Sequence, residues 1–109
     1  MGYNPRKINQ RKRFILELNK HIFINAKVCK RHFNDLKPAF DCVDRMFVEQ
    51  MKESYRDDIR LTGISTRRSL IDDGVEHKWA IIGSLHFTDK TTAEYKLATI
   101  TDNHMSYYA

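Results

Sequence analysis

Apolar residues in the first third of the chain recur as Ile15, Leu18, Ile22, Ala26, Cys29, Phe33 and Leu36. Steps of three and four residues place all seven on one face of a helix. The stretch holds neither Gly nor Pro, so the spacing predicts one helix from about residue 6 or 12 to about 36. "HIFINAKV", residues 21–28, is its weak point, because its β-branched residues also suit a short strand and a break falls naturally near Asn25. Lys37-Pro38 closes the segment, since proline disfavours a helical residue before it and suits the first turn of a new helix. Phe40, Val43, Phe47, Met51 and Tyr55 then mark a second helical face, over about 38–56.

Beyond Asp57-Asp58 the period changes from 3.6 to 2. Residues 59–71, "IRLTGISTRRSLI", read as a strand with Gly63 at a bulge. "DDG" at 72–74 is a hairpin signal, as Asp and Gly tolerate positive φ. Trp79, Ile81, Leu85 and Phe87, with Gly83 among them, share one face of the next strand. "TDKTT" at 88–92 turns the chain again, Tyr95 and Leu97 continue the same face, and "DNHMSYYA" extends the last strand. The expectation is a single α+β domain, residues 1–109, of two N-terminal helices packed on a C-terminal three-stranded antiparallel meander, with 1–12 as a basic arm.

Composition excludes several classes. A hydrophobic share of 41% with twelve aromatics (six Phe, five Tyr, one Trp) is enough for a modest core and argues against disorder. No apolar run approaches the roughly 18 residues of a membrane span. An apolar secretion signal is missing from the N-terminal stretch, and Met1-Gly2 is followed by Arg6 where myristoylation wants Ser or Thr. Two cysteines, Cys29 and Cys42, are too few for a disulfide scaffold, and both fall on apolar stripes. Two reduced thiols in an intracellular protein is the expected picture.

Charge adds the functional signal. Residues 1–37 carry ten Lys or Arg against Glu17 and Asp35, a balance of +8; residues 38–109 carry nine against twelve acids, −3, and the sum is the chain's +5. One third of the molecule thus holds the entire positive excess, which points to an anionic partner. On the expected first helix Arg13, Lys20, Lys27 and Arg31 project about 120–160° from the apolar stripe, Lys12 and Lys30 lie on its flank, and Ile24 interrupts the row. Arg6, Lys7, Arg11 and Lys12 extend the row into the arm. A solubilising face usually mixes signs at i, i+4; this one nearly lacks acids. Arg6, Lys7, Arg11, Lys12, Arg13, Lys20, Lys27 and Arg31 therefore form the expected phosphate-facing set of a small non-enzymatic protein binding DNA or RNA backbone. The same cations suit docking of an accessory or inhibitory protein on an acidic protein surface, and salt dependence with polynucleotide separates the two.

Other chemistry is weaker. Cys29 and His32 at i, i+3, with His21 and Cys42 nearby, contain zinc-ligand types, but a second closely spaced pair is missing. Glu76-His77-Lys78 with Asp57, Asp58, Asp72 or Asp73 upstream resembles the Asp…Glu-x-Lys arrangement of restriction-type nucleases, whose acids hold Mg²⁺; turn acids and a solvent-facing strand pair explain the same residues. His86 falls on the strand face opposite Trp79 and Leu85, where a solvated histidine is ordinary. No glycine-rich phosphate loop occurs among the four glycines. No cofactor and no membrane partner are expected. The final-strand aromatics Tyr95, Tyr107 and Tyr108, with His104 and Met105, suit either core or a homodimer contact.

Overall fold

A computed structural model of the chain describes residues 13–72 and 77–103. Five strands and one helix follow in the order β1 (Phe14–Leu18), β2 (Lys30–Phe33), α1 (Leu36–Ser54), β3 (Leu61–Asp72), β4 (His77–Phe87) and β5 (Thr92–Asp102). All strand pairs are antiparallel, in the order β2-β1-β5-β4-β3. The helix packs on one face of this sheet and the core lies between them.

The expected first helix does not form, and this overturns the two-helix, three-strand arrangement. Its span is β1, an irregular loop over 19–29, and β2. Two observations explain the difference. In "FILEL" the buried side chains are Phe14, Leu16 and Leu18, at a period of two, whereas Ile15, the start of the helical stripe, is only partly buried on the other face. Asn19 then ends the strand: its carbonyl accepts from the backbone N–H of Ile22 and Phe23, and its Oδ1 accepts from the N–H of His21 at 2.9 Å. Its Nδ2 donates to the Lys96 carbonyl at 2.6 Å, tying the turn to β5. The turn drops Phe23 into the core, at 2% exposure, before the chain climbs to β2.

α1 matches the second expected helix. Phe40, Val43, Phe47 and Met51 are buried along its inner face together with Ala39 and Cys42, and Pro38 sits in its first turn, where its missing N–H costs nothing. The hairpins β3–β4 and β4–β5 also follow the expected alternation, but as three strands of a five-stranded sheet. Their register slips by one residue between Leu61 and Gly63, at the expected bulge. A second slip sets Ile81 opposite Ala98 and Ile82 opposite Lys96, so that Leu97 is the extra residue and both Leu97 and Ala98 are buried. The expected turn at 72–74 falls largely outside the described residues, while the other turn places Lys90 at φ 68°.

β5 is paired on both sides, to β1 and to β4. The pairing to β1 covers only Ala98–Asp102, and the β1 side of Thr92–Tyr95 faces no strand among the described residues. Tyr107 and Tyr108 lie outside the described residues. Among the described residues no helix is long and apolar enough to cross a membrane.

Candidate nucleic-acid interface

Because β1 is a strand, the four cations expected in a row are distributed differently. Arg13 precedes β1 at the end remote from the loop and makes a bidentate ion pair with Asp102, both oxygens at 2.8 Å, with its guanidinium carbon 5.2 Å from the Phe14 ring centre. The Asp102 side chain is only 6% exposed, so this pair closes the end of the β1–β5 ladder. Arg31 is half-buried on β2, its guanidinium directed to the Val28 carbonyl at 3.4 Å and the Cys42 thiol at 3.5 Å. Lys20 and Lys27 are exposed on the β1–β2 loop. The structure thus brings Lys20 and Lys27 together and places Arg13 and Arg31 apart from them. Arg6, Lys7, Arg11 and Lys12 lie outside the described residues.

Around those two lysines the fold assembles a cationic surface that the helical reading does not contain. Lys20, Lys27 and Lys30 line a depression of about 480 Å³ together with Glu17, Leu18, Val28 and Cys29. A neighbouring depression of about 270 Å³ shares Glu17 and Leu18 and brings in Asn19, Lys96, Ala98 and Thr99. Four lysines therefore surround one glutamate. None of the four is ion-paired among the described residues. Several other surface cations are paired: Arg60 is held by Asp58 at 2.9 Å, Arg67 by Glu94 at 3.4 Å and Arg68 by Asp44 at 3.4 Å.

The surface continues across the side of the sheet that faces away from α1. Register sets Lys30 opposite Glu17, Glu17 opposite Thr99 and Thr99 opposite Ala80. The next row out runs His32, Ile15, Thr101, Lys78, and another runs Lys96, Ile82, Arg67. Neighbours in a row have Cβ atoms about 4.5–5.5 Å apart, so cations and hydroxyls interleave at hydrogen-bonding range of one extended anion. Among the described residues this face carries no Phe, Tyr or Trp. The aromatic rings are inward, as where Trp79 meets Phe14 and Phe40 edge-on at 6.2 and 6.4 Å.

The metal candidate is not assembled among the described residues; of the nuclease candidate's acids, Asp72 stands opposite His77 at the hairpin end while Asp58 lies far from Lys78. No group of three His, Cys, Asp or Glu side chains there is placed to hold a metal ion. Asp58 is bound to Arg60 ahead of β3, and the 12-residue β3 separates it from Lys78, near the far end of the hairpin, by roughly 35 Å at strand rise. Asp73 and Glu76 lie outside the described residues. Both cysteines are free, Cys42 in the core and Cys29 partly covered. His86 bonds Ser65 through its Nε2 at 2.9 Å.

Some side chains are tuned by neighbours. Hydrogen bonds from Arg60 hold the Asp58 carboxyl below its ordinary value, and bonds from Thr91 do the same for Asp89. Burial, then the neighbouring Tyr95, pushes the Tyr55 hydroxyl up. None of these groups belongs to the lysine surface. Comparison with protein-family models, curated proteins and solved structures returned no match to this chain.

Proposed function

We propose that this protein binds nucleic-acid backbone without sequence preference, through Lys20, Lys27, Lys30 and Lys96 and the adjoining outer sheet face. The observation that supports this most is the gathering, around one glutamate at the β1–β2 loop, of four lysines that have no ion pair among the described residues. Each lysine that meets a phosphate releases condensed counterions, which gives affinity independent of sequence. The basic run Arg6, Lys7, Arg11 and Lys12 enters β1 directly in sequence and adds four further cations to the same partner. The outer face lacks the aromatic platforms on which unstacked bases sit, which favours backbone contact over base reading. The chemistry is binding, with no covalent step. Two unpaired thiols suit a reducing, intracellular setting.

The test is fluorescence anisotropy of the purified chain with labelled single- and double-stranded DNA and RNA, at several salt concentrations and with polyglutamate as competitor. The four lysines alone give a duplex slope of log K against log salt near −3.6, a drop of roughly 150-fold between 50 and 200 mM salt, and each arm cation that meets a phosphate steepens it by about 0.9. Absence of binding at about 50 mM salt, where any phosphate binder is favoured, overturns the proposal. Displacement by polyglutamate at matched charge assigns the cations to an acidic protein surface instead.

A further inference from the structure

Ile24 stands 74% exposed on the β1–β2 loop, where the core makes no use of it. The Ala26 N–H donates to the Phe23 carbonyl at 3.1 Å, closing a turn with Ile24 and Asn25 at its two central positions. Both corners of that turn are held. Phe23 is buried in the core, Ala26 packs against it, and Gln50 of α1 donates from Nε2 to the Ile22 carbonyl. The anchored corners therefore present the tip outward. Exposed turns ordinarily carry Gly, Pro, Asn, Asp or Ser; Asn25 conforms and Ile24 does not. Lys20 lies four residues before Ile24 and Lys27 three after it, and both line one depression with Lys30 and the exposed Val28.

We propose that Ile24 is a wedge that enters the minor groove of duplex DNA, parts two stacked base pairs and bends the helix, an inference that rests on the phosphate-binding reading above. Charge selects the partner: the lysines on either side of the tip have no ion pair among the described residues and suit the phosphates along the two walls of a groove. Width selects the groove. The minor groove of DNA, about 6 Å across, excludes a helix about 10–12 Å wide but admits a side chain carried on a tight turn. In A-form RNA the minor groove is wide and shallow and would not grip the tip. An apolar side chain set among cations and amides is the means by which minor-groove proteins unstack one base step, kinking the duplex by roughly 20–90°. Asn25 supplies an amide donor for the acceptors that base pairs present there, a degenerate pattern that carries little sequence information.

The test is energy transfer between dyes at the two ends of a short DNA duplex, titrated with the full chain at about 50 mM salt, where phosphate binding is favoured. Bending should raise energy transfer at saturation. Ile24→Ala should abolish that rise and weaken binding roughly three- to tenfold, the worth of half-burying one isoleucine, with the salt slope and the circular dichroism melt unchanged. Ile24→Leu should keep the rise. Ile59→Ala should match the wild type, because Ile59, 93% exposed, lines a depression with Glu53, Asp57 and Asp58, whose charge offsets Arg56 and Arg60. Salt-dependent binding with no rise in energy transfer, or an equal rise in Ile24→Ala, overturns the wedge and leaves the phosphate reading standing. No binding to the duplex overturns both. Sedimentation with phosphatidylserine vesicles that Ile24→Ala abolishes, with no bending of DNA, assigns the tip to an anionic membrane and also overturns the wedge.

Discussion

Gly83 sits in β4 against Phe47 of the helix, so adding a single methyl group there tests the packing directly. A Cβ at this position would lie 2.5 Å from Phe47 Cε2, 2.6 Å from Phe47 Cζ and 2.8 Å from Leu97 Cδ1. Carbon atoms pack at about 3.5–4.0 Å, so three contacts must each open by roughly 1 Å. Neither neighbour has slack, since Phe47 and Leu97 are both 0% exposed. Overpacking of this kind costs about 1–3 kcal/mol, against a backbone-entropy gain of about 0.5–1 kcal/mol on replacing glycine with alanine. The net loss for Gly83→Ala is about 1–2 kcal/mol, which for a chain of this size lowers Tm by roughly 4–8 °C. Thermal and urea unfolding followed by circular dichroism read the loss. In a Phe47→Leu background the same substitution should cost less, because the smaller side chain vacates the contested space. A Gly83→Ala protein with unchanged or raised Tm would refute the packing of α1 on β4.

Three further outcomes follow from the same structure. Asn19→Ala removes the acceptor for the His21 N–H and the donor to the Lys96 carbonyl; it should cost about 1–2 kcal/mol in urea unfolding and reduce anisotropy binding by loosening the lysine loop. Arg13→Ala removes the bidentate guanidinium partner of the largely buried Asp102 carboxylate and should destabilise by about 1–3 kcal/mol in the same assay, while leaving the salt slope of nucleic-acid binding near that of the wild type. Asp58 and Asp89 titrate below the ordinary value of 3.8. A carboxyl depressed in the folded state contributes stability above its unfolded value and loses it as pH falls through the folded value. Wild-type Tm should therefore fall below about pH 4, with a smaller acid decrement in Asp58→Asn; an identical pH profile counts against the Arg60 pairing.

The helix α1 and the two C-terminal hairpins were legible because each repeats its period several times. Phe40, Val43, Phe47 and Met51 have no rival pattern, nor do Trp79, Ile81, Leu85 and Phe87. The first third holds two patterns at once. Leu18 belongs both to the helical series through Ile15 and Ile22 and to the alternating series through Phe14 and Leu16, and five residues of alternation are too few to outweigh the longer series. The decision rests on Asn19, whose side chain closes a turn and reaches Lys96, 77 residues on. Charge asymmetry marks the cationic third but not its arrangement. Helical angles put Lys30 on a flank, whereas strand register sets it opposite Glu17 and loop closure brings it beside Lys20 and Lys27. Lys96 joins them only because β5 lies next to β1, which no local spacing reveals.

The salt dependence of duplex DNA binding should be compared between the wild type and a Lys20→Gln/Lys27→Gln/Lys30→Gln variant of unchanged Tm. If these lysines contact phosphates, the slope of log K against log salt becomes shallower by about 2.7, three charges at 0.9 each. Equal slopes for the two proteins would contradict the proposed site and place any binding on other cations of the chain.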